Sequence, residues 1–181
     1  MFETKYLVRF GIPGWTLIIG IVSSLFFSEL EATLKLFDKN TLTTVGFGAI
    51  LAGIGVPIGY LIHQVSLYYG WVRKCDSKKF FGEEIEYDRE FLKDGTGKLN
   101  ERYRYLLSQV HGLRALKFSL YIAVISNALL FVFHKNHFSI LLVCIVMYSL
   151  SIIVDNNLKY TEGNLNFFKD NIKRLNEKCN E

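Results

Sequence analysis

The sequence predicts an all-α fold, an integral membrane protein with four transmembrane helices, from three observations. The 181 residues are 50% hydrophobic, with a positive mean hydropathy of +0.22. The apolar residues gather into four nearly uncharged runs instead of recurring with the 3.6-residue period of a soluble amphipathic helix. Lys and Arg fall almost wholly on one side of those runs. A soluble domain of this size has room for one core, and four such runs exceed what it can bury.

The first run, residues 11–27 (GIPGWTLIIGIVSSLFF), carries no charge. It follows Lys5 and Arg9, but "SSLFFSELEA" is a poor cleavage site, so the segment reads as a retained span. The second, residues 44–69, carries none except on His63. Residues 118–133 (FSLYIAVISNALLFVF) and 138–154 (FSILLVCIVMYSLSIIV) complete the set. Each is close to the length that crosses a hydrocarbon core, about 20 residues. The expected organisation is a two-span hairpin at 1–70, a cytoplasmic segment at 71–115 with a helix at 99–115, a second hairpin at 116–155 and a cytoplasmic C-terminal helix at 156–181.

Orientation follows from the basic residues. Eighteen lie before span one, between spans two and three, or after span four, and only Lys35, Lys39 and Lys135 lie in the other connections. Both termini and the middle segment are therefore expected on the cytoplasmic side of the cell inner (plasma) membrane. There the net charge of +4 favours anionic membrane lipid as a partner. Tyr68, Tyr69 and Trp71 read as an interfacial belt before Arg73, and Trp15 as the marker of span one's cytoplasmic end.

Span two holds five glycines in "GFGAILAGIGVPIGYLIHQ", residues 46–64. Lipid gives helices little hydrophobic drive to associate, so close contact between small residues must supply it. Gly48, Ala52, Gly55 and Gly59 recur at four, three and four, which draws one smooth stripe down a helix, widened by Gly46, Ala49 and Gly53. His63 continues it one turn further, followed by Gln64, and Pro57 within the stripe predicts a bend. The stripe is either a groove for another span of the same chain or a subunit contact or pore face in an oligomer. His63 reads better as an interface residue than as a gate. It is the sole ionisable residue in the spans, which argues against ion-coupled carriers. Asn127, mid-span in "VISNALL", is expected to hydrogen-bond to a neighbouring helix.

The cytoplasmic segment turns acidic over Glu83–Glu90, a solvated face in the simplest reading, and breaks at the turn signal Asp94-Gly-Thr-Gly97. Beyond it Leu99, Tyr103, Leu106, Val110 and Leu113 recur at four and three. In the tail Leu165, Phe168, Ile172, Leu175 and Cys179 do the same, after an expected break at Gly163. The connection at 134–137 is tight, which makes spans three and four antiparallel neighbours. Their extensions are then expected to pack stripe to stripe.

Chemistry is sparse. Cys75, Cys144 and Cys179 have no metal spacing, and His134 and His137 are two ligands without others. Neither a cofactor nor a metal is expected, and no nucleophile is arranged, so the chain is not predicted to be an enzyme. Acids balance the basic residues closely enough that nucleic-acid binding has no compositional support. Arg104 and His111, seven apart, share one helical face with Ser108 between them. A solvated face is the plain reading of that pair.

Residues 99–181 run as cytoplasmic helix, two-span hairpin and cytoplasmic helix. This order is similar to the SLATT-type modules of bacterial conflict systems. With Arg104 and His111 it also resembles small CRISPR-associated membrane accessories that carry a divergent HEPN motif. The SLATT resemblance implies an oligomer that perturbs the inner membrane in antiviral, antiphage defence when a cytoplasmic partner signals infection. The HEPN resemblance implies that Arg104 steadies a phosphate and His111 transfers a proton in a dimeric ribonuclease.

The functional expectation is an oligomeric inner-membrane pore or membrane-perturbing effector, built as a homo-oligomer. Its alternative is a membrane anchor or sensor that recruits a soluble cytoplasmic protein partner through residues 71–115 and the C-terminal helix. A tethered ribonuclease ranks third.

Overall fold

Backbone amides inside an apolar run find no polar side chains to bond, so a helix, which satisfies them within the run, is the form they take. A computed structural model describes residues 4–28, 41–73, 76–93, 95, 97–133 and 138–179. All elements among them are helical: α1 Thr4–Ser28, α2 Thr41–Leu67, α3 Ser77–Lys93, α4 Lys98–Phe133 and α5 Phe138–Cys179. α2 runs on into a π-helical turn at Tyr68–Val72, closed by the Arg73 amide donating to the Tyr68 carbonyl at 3.0 Å.

The helices α4 and α5 are each long and apolar enough to cross a membrane, and α1 contributes a shorter apolar helix at Phe10–Phe26. The stripe 99–113 and the run 118–133 are one unbroken helix of 36 residues, and the run 138–154 and the tail one of 42. Gly163 does not break α5. It lies on an exposed face with nothing near it, where a helical glycine costs only about 1 kcal/mol. On either side of it Glu162 pairs with Arg114 and Leu165 is buried in the stem.

Three seams fix the order of packing. Gly14 and Trp15 of α1 lie against Gly59 and Gly55 of α2, so these two helices are antiparallel. The Ser119 hydroxyl donates to the Pro13 carbonyl and the Asn127 amide to the Gly20 carbonyl at 3.4 Å, so α1 and α4 run parallel. Arg114 pairs with Glu162, Lys117 with Asp155, and Cys144 lies on the Val124 carbonyl, which makes α4 and α5 antiparallel. The result is an up-down-up-down arrangement of α1, α2, α4 and α5, with α3 laid along the extensions of α4 and α5.

The acidic stretch Glu83–Glu90 lies on α3, with Glu86 and Asp88 exposed and Glu83, Glu84 and Glu90 partly buried. Phe91 is buried in the core of the α4–α5 extensions, Tyr87 packs against it, and Glu84 accepts a hydrogen bond from the Tyr103 phenol. The turn before α4 is where the sequence marks it. Gly97 has φ +69°, a left-handed conformation that favours glycine, and its carbonyl accepts the Glu101 amide at 3.1 Å.

Candidate functional site

Interior polarity changes along α4 and α5. In the extensions the interior is apolar: Leu99, Tyr103, Leu106 and Val110 of α4 share one buried cluster with Leu158, Leu165, Phe168 and Ile172 of α5 and Phe91 of α3. Past Ala115 the interior becomes partly polar, with Ser24, Ser119, Asn127 and Ser151 buried beside Leu120, Ala123, Val143 and Met147. The outside changes in the opposite sense. Ile125, Leu129, Phe133 and Ile145 are exposed, Phe133 by 80% and Ile145 by 57%. Only 22% of the most apolar window of either helix is buried, whereas the core helix of a soluble protein would be mostly buried.

Close approach of backbones builds the α1–α2 seam. A Cβ on Gly59 would overlap the Phe10 carbonyl oxygen and lie 2.9 Å from Gly14 N. One on Gly14 would overlap the Gly55 carbonyl and lie 2.7 Å from Gly59 N, and the Trp15 ring covers Gly55. This half of the glycine stripe therefore meets another helix of the same chain. A Cβ on Gly46 or Gly53, which widen the stripe, would meet nothing within 4 Å among the described residues. Gly48 and Ala52 fall on α2, but their surroundings lie outside the described residues, as do those of Leu175 on α5. Pro57 points outward from the seam. Trp15, whose ring is partly exposed, forms the plug over Gly55.

His63 is 4% exposed, while Gln64 beside it is exposed, so the two polar neighbours do not share one face. The His63 ring meets Phe10 edge-on at 5.1 Å and His111 at 6.3 Å. Trp71 in turn lies 6.3 Å from His111 and 4.7 Å from Phe80. These edge-to-face contacts connect α1, α2, α4, the π turn and α3, and they join the four-helix body to the extensions. Gly70 in the π turn admits the Arg114 stem, whose Cδ would lie 2.6 Å from a Cβ there, and Arg114 reaches on to Glu162 at 2.6 Å.

The geometry separates Arg104 from His111. Arg104 is exposed and its Nε donates to Asn100 Oδ1 at 3.0 Å, one turn toward the N-terminus. His111 turns inward to His63 and Trp71. About 10 Å of helix rise lies between the two, and they do not converge on one point. Among the described residues no three His, Cys, Asp or Glu side chains gather as metal ligands. His134 and His137 lie outside the described residues.

A feature absent from the sequence reading sits where α3 meets the extensions. Lys169 of α5 lies 5.0 Å from the Tyr87 ring centre, 5.6 Å from Tyr103 and 5.9 Å from Phe80. Its ammonium is also 3.9 Å from Glu84. Cation–π attraction strengthens with desolvation, and this lysine is only 17% exposed. Burial pushes the Tyr103 phenol well above its ordinary range, aided by its bond to Glu84. Burial also raises Tyr87, followed by the nearby carboxylates of Glu83 and Asp170. At the other end of the extensions, bonds from Lys117 and Lys159 hold Asp155 below the usual carboxylate range, and Asp155 raises Lys159 in return.

The site is therefore a three-helix stem with a cation clasp, continuous with an apolar-surfaced bundle. Comparison of the chain with protein-family models, with curated proteins and with solved structures finds no match to any of them.

Proposed function

We propose that this chain is a four-span protein of the cell inner membrane that presents its α3–α4–α5 stem to a soluble cytoplasmic partner. The entry of small polar groups into the interior beyond Ala115, where large apolar groups turn outward, carries the reading. Small polar groups inside and large apolar groups outside suit hydrocarbon, where backbone and hydroxyl groups must be satisfied internally. Apolar groups inside suit water. One pair of helices thus meets two solvents. The up-down-up-down order, with the cation-rich segments at one end, supports both termini on the cytoplasmic side.

The docking surface is the outer stripe of α3. Phe81, Ile85 and Leu92 are exposed, Leu92 by 85%, while Phe80, Tyr87 and Phe91 on the adjacent stripe hold the helix to the stem. From Phe81 to Leu92 the stripe climbs about 16 Å along the stem, so lipid does not cover its far end. The five acids against four bases on this helix also oppose an anionic bilayer. A photo-crosslinking residue at 81, 85 or 92 is expected to give one discrete protein adduct in intact cells, and one at 129 only lipid. Lipid adducts alone at all four positions would refute the reading.

The oligomeric pore is a second proposal, favoured by one observation: Gly46 and Gly53 leave an open small-residue face on α2, suited to a second copy. Conductance of reconstituted vesicles that vanishes in Gly53→Leu would support it. Intact ionic barriers under every trigger tested would remove it.

A further inference from the structure

Three polar side chains at the α1–α4 seam are wholly enclosed, Ser24, Ser119 and Asn127, and Ser119 donates to the Pro13 carbonyl. Asn127 and Ser24 are both 0% exposed. Asn127 Nδ2 donates to the Gly20 carbonyl at 3.4 Å, but its Oδ1 has no hydrogen-bond partner among the described residues, and neither has Ser24 Oγ. Ser24 follows Gly20 by one helical turn and so lies on the same face of α1. The Asn127 amide and the Ser24 side chain therefore meet the same turn of α1. The common escape for a hydroxyl in an apolar helix is its own preceding turn. Thr16, Ser66, Ser149 and Ser151 take it, bonding the carbonyls of Ile12, His63, Ile145 and Tyr148. Ser24 does not.

We propose that Ser24 and Asn127 bind a single water molecule that bridges α1 and α4. Water accepts the Ser24 O–H and donates to Asn127 Oδ1, so one molecule satisfies both atoms, and two partners meet the lower limit for buried water. A metal cation fits poorly. The nearby donors are neutral, Gly20 O, Ser24 Oγ and Asn127 Oδ1, and a dehydrated charge needs carboxylates or many oxygens to compensate it. Gly20 permits the close seam that encloses the site, since a Cβ there would meet Ala123 Cβ at 3.2 Å and Met147 Cε at 3.1 Å. The site depends on burial in the bundle and is independent of partner docking on α3.

Solid-state NMR of the full chain in lipid bilayers tests it. Long-lived water protons are expected to transfer polarisation to the Asn127 side-chain nitrogen, and Ser24→Ala is expected to abolish that transfer with other amide signals unchanged. Transfer from the Ser24 hydroxyl itself, or none from water in the unaltered chain, would overturn the proposal. In thermal melts, Ser24→Ala and Asn127→Ala should each lower the midpoint, with the double variant no lower than the worse single one. Additive losses, or a midpoint that shifts when sodium is exchanged for choline, would overturn it as well.

Discussion

Adding one methyl group to α2 should have opposite effects at two glycines six residues apart. At Gly59 a new Cβ meets backbone on α1, the Phe10 carbonyl and Gly14 N at 2.9 Å, and neither can rotate aside. Relief requires the two helices to part by on the order of 1–2 Å, and a gap of only 0.5–1 Å already forfeits a quarter to a half of each contact's attraction. Overpacking of this kind costs about 1–3 kcal/mol. For a chain of this length each kcal/mol lowers the melting midpoint by about 2–4 °C, so Gly59→Ala should melt roughly 2–12 °C lower. At Gly53 the same methyl meets nothing within 4 Å, and replacing a helical glycine by alanine stabilises by about 0.5–1 kcal/mol. Gly53→Ala should melt about 1–4 °C higher. Differential scanning fluorimetry of both variants in one detergent reads the contrast. Equal effects of the two substitutions would refute the packing argument.

Phe168 is fully buried in the stem, and Phe168→Ala should cost about 3–5 kcal/mol, whereas Phe167→Ala on the exposed neighbour should change stability by less than about 0.5 kcal/mol; chemical denaturation measures both. Lys169→Met removes the clasp between α3 and α5 and leaves Glu84 without its cation, so hydrogen exchange across 77–93 should accelerate while that of 118–133 stays unchanged. Tyr103 has its phenol raised in the folded chain above the ordinary 10.0. Its proton is thus retained by the folded form and released by the unfolded one above about pH 10, so stability should fall as pH rises through that range. Tyr103→Phe should flatten the fall, leaving the smaller share from Tyr87, when melting midpoints are followed from pH 8 to 11.

How far the sequence could be read depended on whether one solvent set the pattern. The runs 118–133 and 138–154 were legible because a long uncharged apolar run stands out by composition alone, whatever the neighbours are. The stem stripes at Leu99–Val110 and Leu165–Ile172 were legible because a two-helix seam imposes one period. The helix α3 was not, because two adjacent apolar stripes, Phe80–Tyr87–Phe91 inward and Phe81–Ile85–Leu92 outward, blur each other's period, and nothing in the spacing of the acids singles out Glu84 as the one that meets Tyr103. The clasp on Lys169 joins residues far apart in the chain, and no local spacing announces it. The glycine spacing marked a smooth face on α2, but spacing alone does not say whether a neighbour in the same chain or another copy fills it. Asn127 was legible as a buried hydrogen-bonding group, whereas its partner is a carbonyl, which every residue carries. Gly163 was misleading because a glycine ends a helix only where the chain must turn.

Spin labels placed singly along α4 and α5 of the membrane-reconstituted chain test the central claim, that one helix pair meets two solvents. Positions 125, 129, 145 and 153 are exposed on the apolar body, and 105, 160 and 167 on the stem. Relaxation by oxygen, which concentrates in lipid, and by a water-soluble nickel chelate reports the solvent at each label. The account predicts oxygen-dominated relaxation at the first four positions and nickel-dominated relaxation at the other three. Nickel-dominated relaxation at 125, 129, 145 and 153 would contradict it.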